Sequence, residues 1–155
     1  MKRFALVLAL AFALAASFGC AKKTTTEPAY EPPVNAELQS AVQTISDSRI
    51  YFAFNRYNIE SQYDAVLSRD AQILKQFPSI HVRIEGNCDD RGTQEYNLAL
   101  GERRARAAYD YLVAQGVNPG QMEMISYGKE NPAVMGTGEA VWAQNRRDDF
   151  RVIAQ

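Results

Sequence analysis

The stretch EGNCDDRGTQEYNLALGERRA (residues 85–105) joins two hydrophobic periods. Before and into it, Ile80, Val82 and Ile84 alternate with His81, Arg83 and Glu85, the period of two that marks a half-buried strand and sets His81 with the polar residues. After the turn from Asn87 to Gly92, Thr93 can cap a long helix that runs to Gln115 and stops at Gly116. On a helical wheel Asn97, Leu100, Gly101, Arg104, Ala108, Tyr111 and Leu112 fall within one stripe, about 120° wide, while Glu102, Arg103, Arg106 and Asp110 face the other way. Arg104 therefore stands on the face that should be buried. An unpaired guanidinium there would cost several kcal/mol, so something must satisfy it. One solution is a fixed ion pair inside the protein. The other is a shallow site at the sheet edge, where Arg104 meets a ligand carboxylate and Asp89 in the preceding turn offers the opposite charge. The pattern leaves both open, and an Asp and an Arg held apart form a receptor for a zwitterion.

Outward from this stretch the chain keeps alternating elements. Asn35 can cap a helix with Leu38, Val42 and Ile45 on one face, ending before Arg49. Ile50 to Phe54 is a short apolar strand, expected to be buried on both sides. Ser61 to Asp64 has the form of a capping box and opens a helix whose period (Tyr63, Val66, Leu67, Leu74, Phe77) lasts until Pro78. Val117–Gly120 turns into a strand over Met122–Tyr127, Gly128 and Asn131-Pro132 mark a loop, a short helix covers Glu139–Asn145, and Asp149–Ile153 closes as a strand. Such an order describes a sheet with helices packed on one side.

The 155 residues fit one domain plus accessories, and 17 basic against 18 acidic residues give a net charge of −1 with no polybasic block. Nucleic acid is excluded as a partner by that balance. The N-terminus is a different kind of segment. Met1-Lys2-Arg3 precedes an apolar run from Phe4 to Phe18, too short for a bilayer span and matching a signal-peptide core. Gly19-Cys20 follows, then a polar, proline-rich stretch to about Asn35. This resembles a bacterial lipoprotein signal, in which the cysteine is acylated and becomes the new first residue; Ser17 and Phe18 depart from the residues that family prefers, and an ordinary cleaved export signal is the alternative. Cleavage after residue 19 removes Lys2 and Arg3 and no acid, leaving 15 basic and 18 acidic residues and a charge of −3. Residues 20–48 then form a lipid-anchored tether with one short helix. Ala21 directly after Cys20 implies sorting to the outer membrane, with the domain facing the periplasm. With Cys20 acylated, Cys88 has no disulfide partner.

Four blocks, YFAFNRYNI (51–59), EGNCDDRGTQEYNLALGERRA (85–105), SYGKENPAVMG (126–136) and NRR (145–147), resemble in order and spacing the OmpA C-terminal-like domain family, over about residues 49–153. The resemblance implies an α+β two-layer sandwich over residues 49–155, βαβαββ in order, with a mixed sheet and its helices on one side. It also implies noncovalent binding to the peptide stem of peptidoglycan, with diaminopimelate as the residue held. In that family the Asp of the turn and the second Arg of the helix motif N-x-x-L-x-x-x-R-A hold the amino-acid end of diaminopimelate; here these are Asp89 and Arg104, with Asn97, Leu100 and Ala105 completing the motif. Asn55 and Tyr57 of the first block join the site by the same resemblance, and Thr93 with the N–H groups at the helix start can add donors for a second carboxylate. Asn55 and Asn58 stand where close relatives carry Asp, and Cys88 where Thr or Ala is usual. The periplasmic protein TolB, and with it TolA, are implied as partners as well, TolB over part of the surface that the wall uses.

The expected function is a tether between outer membrane and wall that needs no cofactor. A related anchor outside the Tol system, for motility or adhesion, is the alternative within the family. A wall-cutting enzyme is the alternative from another class. Neighbouring acids such as Asp89-Asp90 seldom face one bond at the separation glycoside hydrolysis needs, and no metal-ligand spacing or nucleophile elbow is present.

Overall fold

The computed structural model describes residues 34–155. The signal segment, Cys20 and the proline-rich stretch to residue 33 lie outside the described residues. The elements in order are α1 (Val34–Ser46), β1 (Arg49–Tyr51), α2 (Asp64–Gln76), β2 (His81–Asn87), α3 (Gln94–Ala114), β3 (Met122–Gly128), α4 (Glu139–Asn145) and β4 (Arg147–Ala154).

The strands form one mixed sheet in the order β1-β4-β2-β3. β2 and β3 run parallel, as a strand–helix–strand crossover through α3 requires, and β4 returns antiparallel between β1 and β2. That insertion brings the chain entering β4, residues 145–148, beside both the end of β1 and the end of β2.

Helices and strands share one core. Val82 and Ile84 of β2, Ile50 of β1 and Phe150 of β4 meet Leu67, Ala71 and Leu74 of α2, Ala105, Ala108 and Leu112 of α3, and Ala41 and Ile45 of α1. Full burial of one such Leu or Ile contributes about 1.5–3 kcal/mol, so the two-period pattern of β2 and the stripe on α3 are what fasten the layers. α1 is part of this unit, with Ile45 wholly buried. α3 lies unusually close to the sheet: a Cβ on Gly86 would fall 2.0 Å from the Gly101 carbonyl oxygen. Two glycines face each other there, and the first turns of α3 are pressed onto the end of β2.

α3 begins and ends as its sequence indicates. Thr93 Oγ1 accepts from the Tyr96 N–H at 3.2 Å. At the other end Gly116 has φ 88°, and the N–H of Val117 donates to the Leu112 carbonyl at 3.1 Å, closing the helix in a left-handed turn.

Some local expectations are revised. β1 ends at Tyr51, and although Phe52 is buried, Phe54 is 56% exposed. Apolar composition there serves a loop, in which Asn55 adopts φ 57°. The Ser61–Asp64 box does not cap α2: residues Ser61–Tyr63 form a 3₁₀ turn and no side chain caps the helix after it. α1 starts at Val34, which places Asn35 inside its first turn.

Candidate functional site

At the end of β2 a cavity of about 240 Å³ opens between the loop after β1, the turn after β2, the first turns of α3 and the residue next after α4. Phe54 and Asn55, Cys88, Asp89, Arg91 and Gly92, Tyr96, Asn97, Leu100 and Arg104, and Arg146 line it.

Arg104 is fully buried, at 0% exposure. Its Nε donates to the Arg56 carbonyl at 2.9 Å, Nη1 to the Asn87 carbonyl at 2.8 Å, and Nη2 to the Ala53 carbonyl at 3.4 Å, while Nη1 lies 3.5 Å from Cys88 Sγ. The Phe52 ring lies 4.9 Å from the guanidinium carbon. Among the described residues no carboxylate lies within ion-pair distance of it. Main-chain carbonyl dipoles therefore do what a carboxylate was expected to do, and the guanidinium staples the loop after β1 to the end of β2. Burial lowers its pKa from the ordinary arginine value, with Cys88, Asp148 and Asp89 opposing the change.

The carboxylate of the site is Asp89, and it is the hub of a second network. Its Oδ2 accepts from Arg91 Nη2 at 2.5 Å and from Arg146 Nη1 at 3.2 Å, and its Oδ1 from the Arg91 main-chain N–H at 3.3 Å. Burial alone would raise its pKa, but the Arg91 and Arg146 hydrogen bonds outweigh that and hold it below the usual carboxylate range. Arg146 also donates from Nε to the Phe52 carbonyl at 3.0 Å and from Nη2 to Glu139 at 2.5 Å. Arg91 is clasped between two rings, 3.9 Å from the Phe54 centroid and 4.1 Å from that of Trp142, and its Nε is buried without a partner. Two guanidiniums thus hold one inner carboxylate, Arg104 lines the same cavity, and Glu139 stands at the rim. The excess is positive, and an anionic group entering the cavity would meet donors arranged in advance.

Asn97 completes the frame. Its Nδ2 donates to the Arg91 carbonyl at 2.8 Å and to the Thr93 carbonyl at 3.0 Å, fixing the turn to the helix start. Cys88 donates to the Asn97 carbonyl at 3.3 Å, and burial pushes its thiol up to about 11, against the pull of Arg104. A thiol held protonated in that way is a filler and no nucleophile.

Of the residues singled out from the sequence, the fold gathers Asn55, Asp89, Asn97, Leu100 and Arg104 around one cavity. Asn55 Oδ1 accepts from the Tyr96 hydroxyl. Thr93 caps α3 and Tyr57 stands half exposed; neither lines the cavity. The sequence pattern does not single out Arg91, Arg146 or Phe54. Arg91 is two residues from Asp89, and Arg146 lies in the quoted NRR block, so only the topology that inserts β4 beside β2 was needed to bring them in.

The OmpA family model matches residues 51–146. The chain belongs to the OmpA family. Within it the chain is 42% identical over 147 residues to a peptidoglycan-associated lipoprotein of Pasteurella multocida, covering 95% of this chain and 97% of that one. It is 38% identical over 164 residues to a peptidoglycan-associated lipoprotein of Pseudomonas putida, covering 97% of this chain and 98% of the relative. The crystal structure of the peptidoglycan-associated lipoprotein from Burkholderia pseudomallei superposes with a TM-score of 0.69 at 48% identity, over 70% of this chain and 92% of that one. The C-terminal domain of Helicobacter pylori MotB, at 23% identity and a TM-score of 0.62 over 70% of this chain and 85% of that one, shares the fold. The arginine staple and the Asp89 hub are thus features of an OmpA-family domain.

Proposed function

We propose that this OmpA-family chain binds peptidoglycan noncovalently, receiving the zwitterionic end of diaminopimelate in the Asp89–Arg104 cleft, and so tethers the outer membrane to the wall. The observation that carries the proposal is the pairing of Arg91 and Arg146 with Asp89 in a cavity that Arg104 also lines, with apolar walls from Phe54, Tyr96 and Leu100. A ligand carboxylate is drawn to the excess positive charge, and the unpartnered Nε of Arg91 supplies a donor. The ligand ammonium replaces Arg91 on Asp89, so each charge keeps a partner through the exchange. The methylene chain of diaminopimelate lies against Leu100 and the aromatic walls, contributing about 0.8 kcal/mol for each CH₂ buried. Modest single-site affinity suffices, because many copies on one membrane face one wall and act by avidity.

In this reading residues 1–19 are removed, Cys20 carries the acyl anchor, and residues 20–33 are the tether. Fully extended, these reach about 45–50 Å. The folded unit includes α1, whose Ile45 is in the core. TolB and TolA are the proposed partners in the Tol-Pal system, TolB on part of the wall-binding surface.

The test is co-sedimentation of the chain from residue 21 onward with diaminopimelate-type sacculi, comparing wild type with Asp89→Ala and Arg91→Ala, each checked by thermal melting. Wild type should pellet and both folded variants should stay in solution; equal pelleting of all three rejects the cleft. Muropeptide release during the incubation would mark an enzyme. Retention of TolB by the immobilised domain, reduced when soluble peptidoglycan fragments are added, tests the partner assignment and distinguishes it from an anchor outside the Tol system.

A further inference from the structure

β3 is the outer strand of the sheet, and among the described residues no chain pairs with its free edge. Such an edge offers unpaired N–H and C=O groups to another strand, and proteins commonly guard it with lysine, proline or a bulge. Met122 to Ser126 has none of these. Its single charge, Glu123, is neutralised by Arg83 of β2 at 2.5 Å, and the register shift against β2 comes only after Ser126.

Beside this edge runs a groove of about 610 Å³ between β3 and α3, lined by Met124, Ile125, Leu98, Ala99, Glu102 and Arg106. Leu98 and Ile125 are each 38% exposed, an apolar floor that nothing covers among the described residues. Leu98, Glu102 and Arg106 follow at four-residue steps and so form one row along the flank of α3. Glu102 and Arg106 are both exposed, and among the described residues neither has an ion-pair partner. Opposite charges one turn apart on a single row are self-complementary. A second copy running the other way presents arginine to Glu102 and glutamate to Arg106.

We propose that the β3 edge recognises a second copy of this chain, the two β3 strands pairing antiparallel about a twofold axis so that two four-stranded sheets become one. The helices fit this arrangement. α3 lies against both β2 and β3, and strands lie about 4.8 Å apart, so the axis brings the two α3 helices to about 10 Å, the distance at which helices pack. Glu102 and Arg106 exchange partners when the axis passes beside Arg104, midway between them. Gly101 lies over Ser126, and α3 advances about 1.5 Å per residue against about 3.3 Å for the strand. The axis therefore meets β3 near Ile125, and the exposed Ile125 of one copy packs on that of the other. The wall-binding cleft lies outside this seam, so the pairing is independent of what the cleft holds.

The test is sedimentation equilibrium of the full-length chain in density-matched detergent, with micelles in large excess over protein, on wild type, Glu102→Arg and Arg106→Glu, each checked by thermal melting. Wild type should show a reversible monomer–dimer equilibrium. Each single reversal turns both ion pairs repulsive and should raise the dimer dissociation constant about tenfold or more. An equimolar mixture of the two variants should dimerise as tightly as wild type, because each supplies the charge that the other lacks. Wild type that stays monomeric up to millimolar loading overturns the proposal. So do single reversals that dimerise as wild type does, or a mixture that stays as weak as its components.

Discussion

Asp148 is placed where a carboxylate is least at home. Strand pairing sets it opposite Ile50 of β1 and Gly86 of β2, on the face that looks into the core, with 0% exposure and, among the described residues, no hydrogen bond to either oxygen. Burial raises its pKa well above the ordinary value; Arg104 pulls it down from beyond ion-pair distance, Asp149 pushes it up, and Arg147 pulls it down. Asp148→Asn keeps the shape and removes the ionisation. In the unfolded chain the carboxyl loses its proton near pH 3.9, whereas the folded protein holds it to higher pH. Between those two values the unfolded state binds fewer protons, so stability falls as pH rises. The contribution is fully present below the unfolded pKa and lost as pH rises through the folded one, with a limiting slope of about 1.4 kcal/mol per pH unit. As pH rises above 4, wild type should therefore lose stability relative to Asp148→Asn, at no more than that limiting slope. Urea unfolding of both proteins at pH 4, 5, 6 and 7 measures the difference directly, and the titrations of Asp70 and Asp89 cancel in it because both proteins carry them. A difference that stays flat across that range refutes the reasoning.

Other parts of the fold give further expected outcomes. Gly86→Ala should lower stability by about 3 kcal/mol or more, because its Cβ would meet the Gly101 main-chain oxygen at 2.0 Å and neither partner is a flexible side chain; the urea midpoint reads it. Thr93→Ala should cost about 1 kcal/mol through loss of the α3 cap, again by urea midpoint. Cys88, buried with a pKa of about 11, should resist iodoacetamide at pH 8 in the native protein and react once the protein is unfolded in urea, as mass spectrometry would show.

Much of this fold is legible where the local signal and the tertiary role coincide. The alternation of β2 from His81 to Ile84 and the stripe of α3 agree with the sequence pattern because burial on one face decides them, whereas Glu85, expected with the polar set, is buried; the cap and stop of α3 and the limits of α4 also agree. The pattern fails where tertiary contacts reassign a residue. Phe54 reads as strand core, yet it leaves the sheet to stack on Arg91. Ser61 carries a capping signature, yet the chain tightens into a 3₁₀ turn before α2 starts. The position of Arg104 was readable from the wheel, but its partners were not, because they are carbonyls 17, 48 and 51 residues away in sequence. The same distance hides the Asp89 hub, whose partner Arg146 stands 57 residues downstream and arrives only through the central placement of β4.

The most direct test of the wall-binding cleft is titration of meso-diaminopimelate into the isotopically labelled domain, monitored by amide NMR. The largest shift changes should fall on Phe54 and Asn55, on Cys88 through Gly92, and on Tyr96 and Asn97, and should vanish in Asp89→Asn. Saturable changes confined to another surface, or no change at millimolar ligand, would contradict the assignment of this cleft as the diaminopimelate receptor.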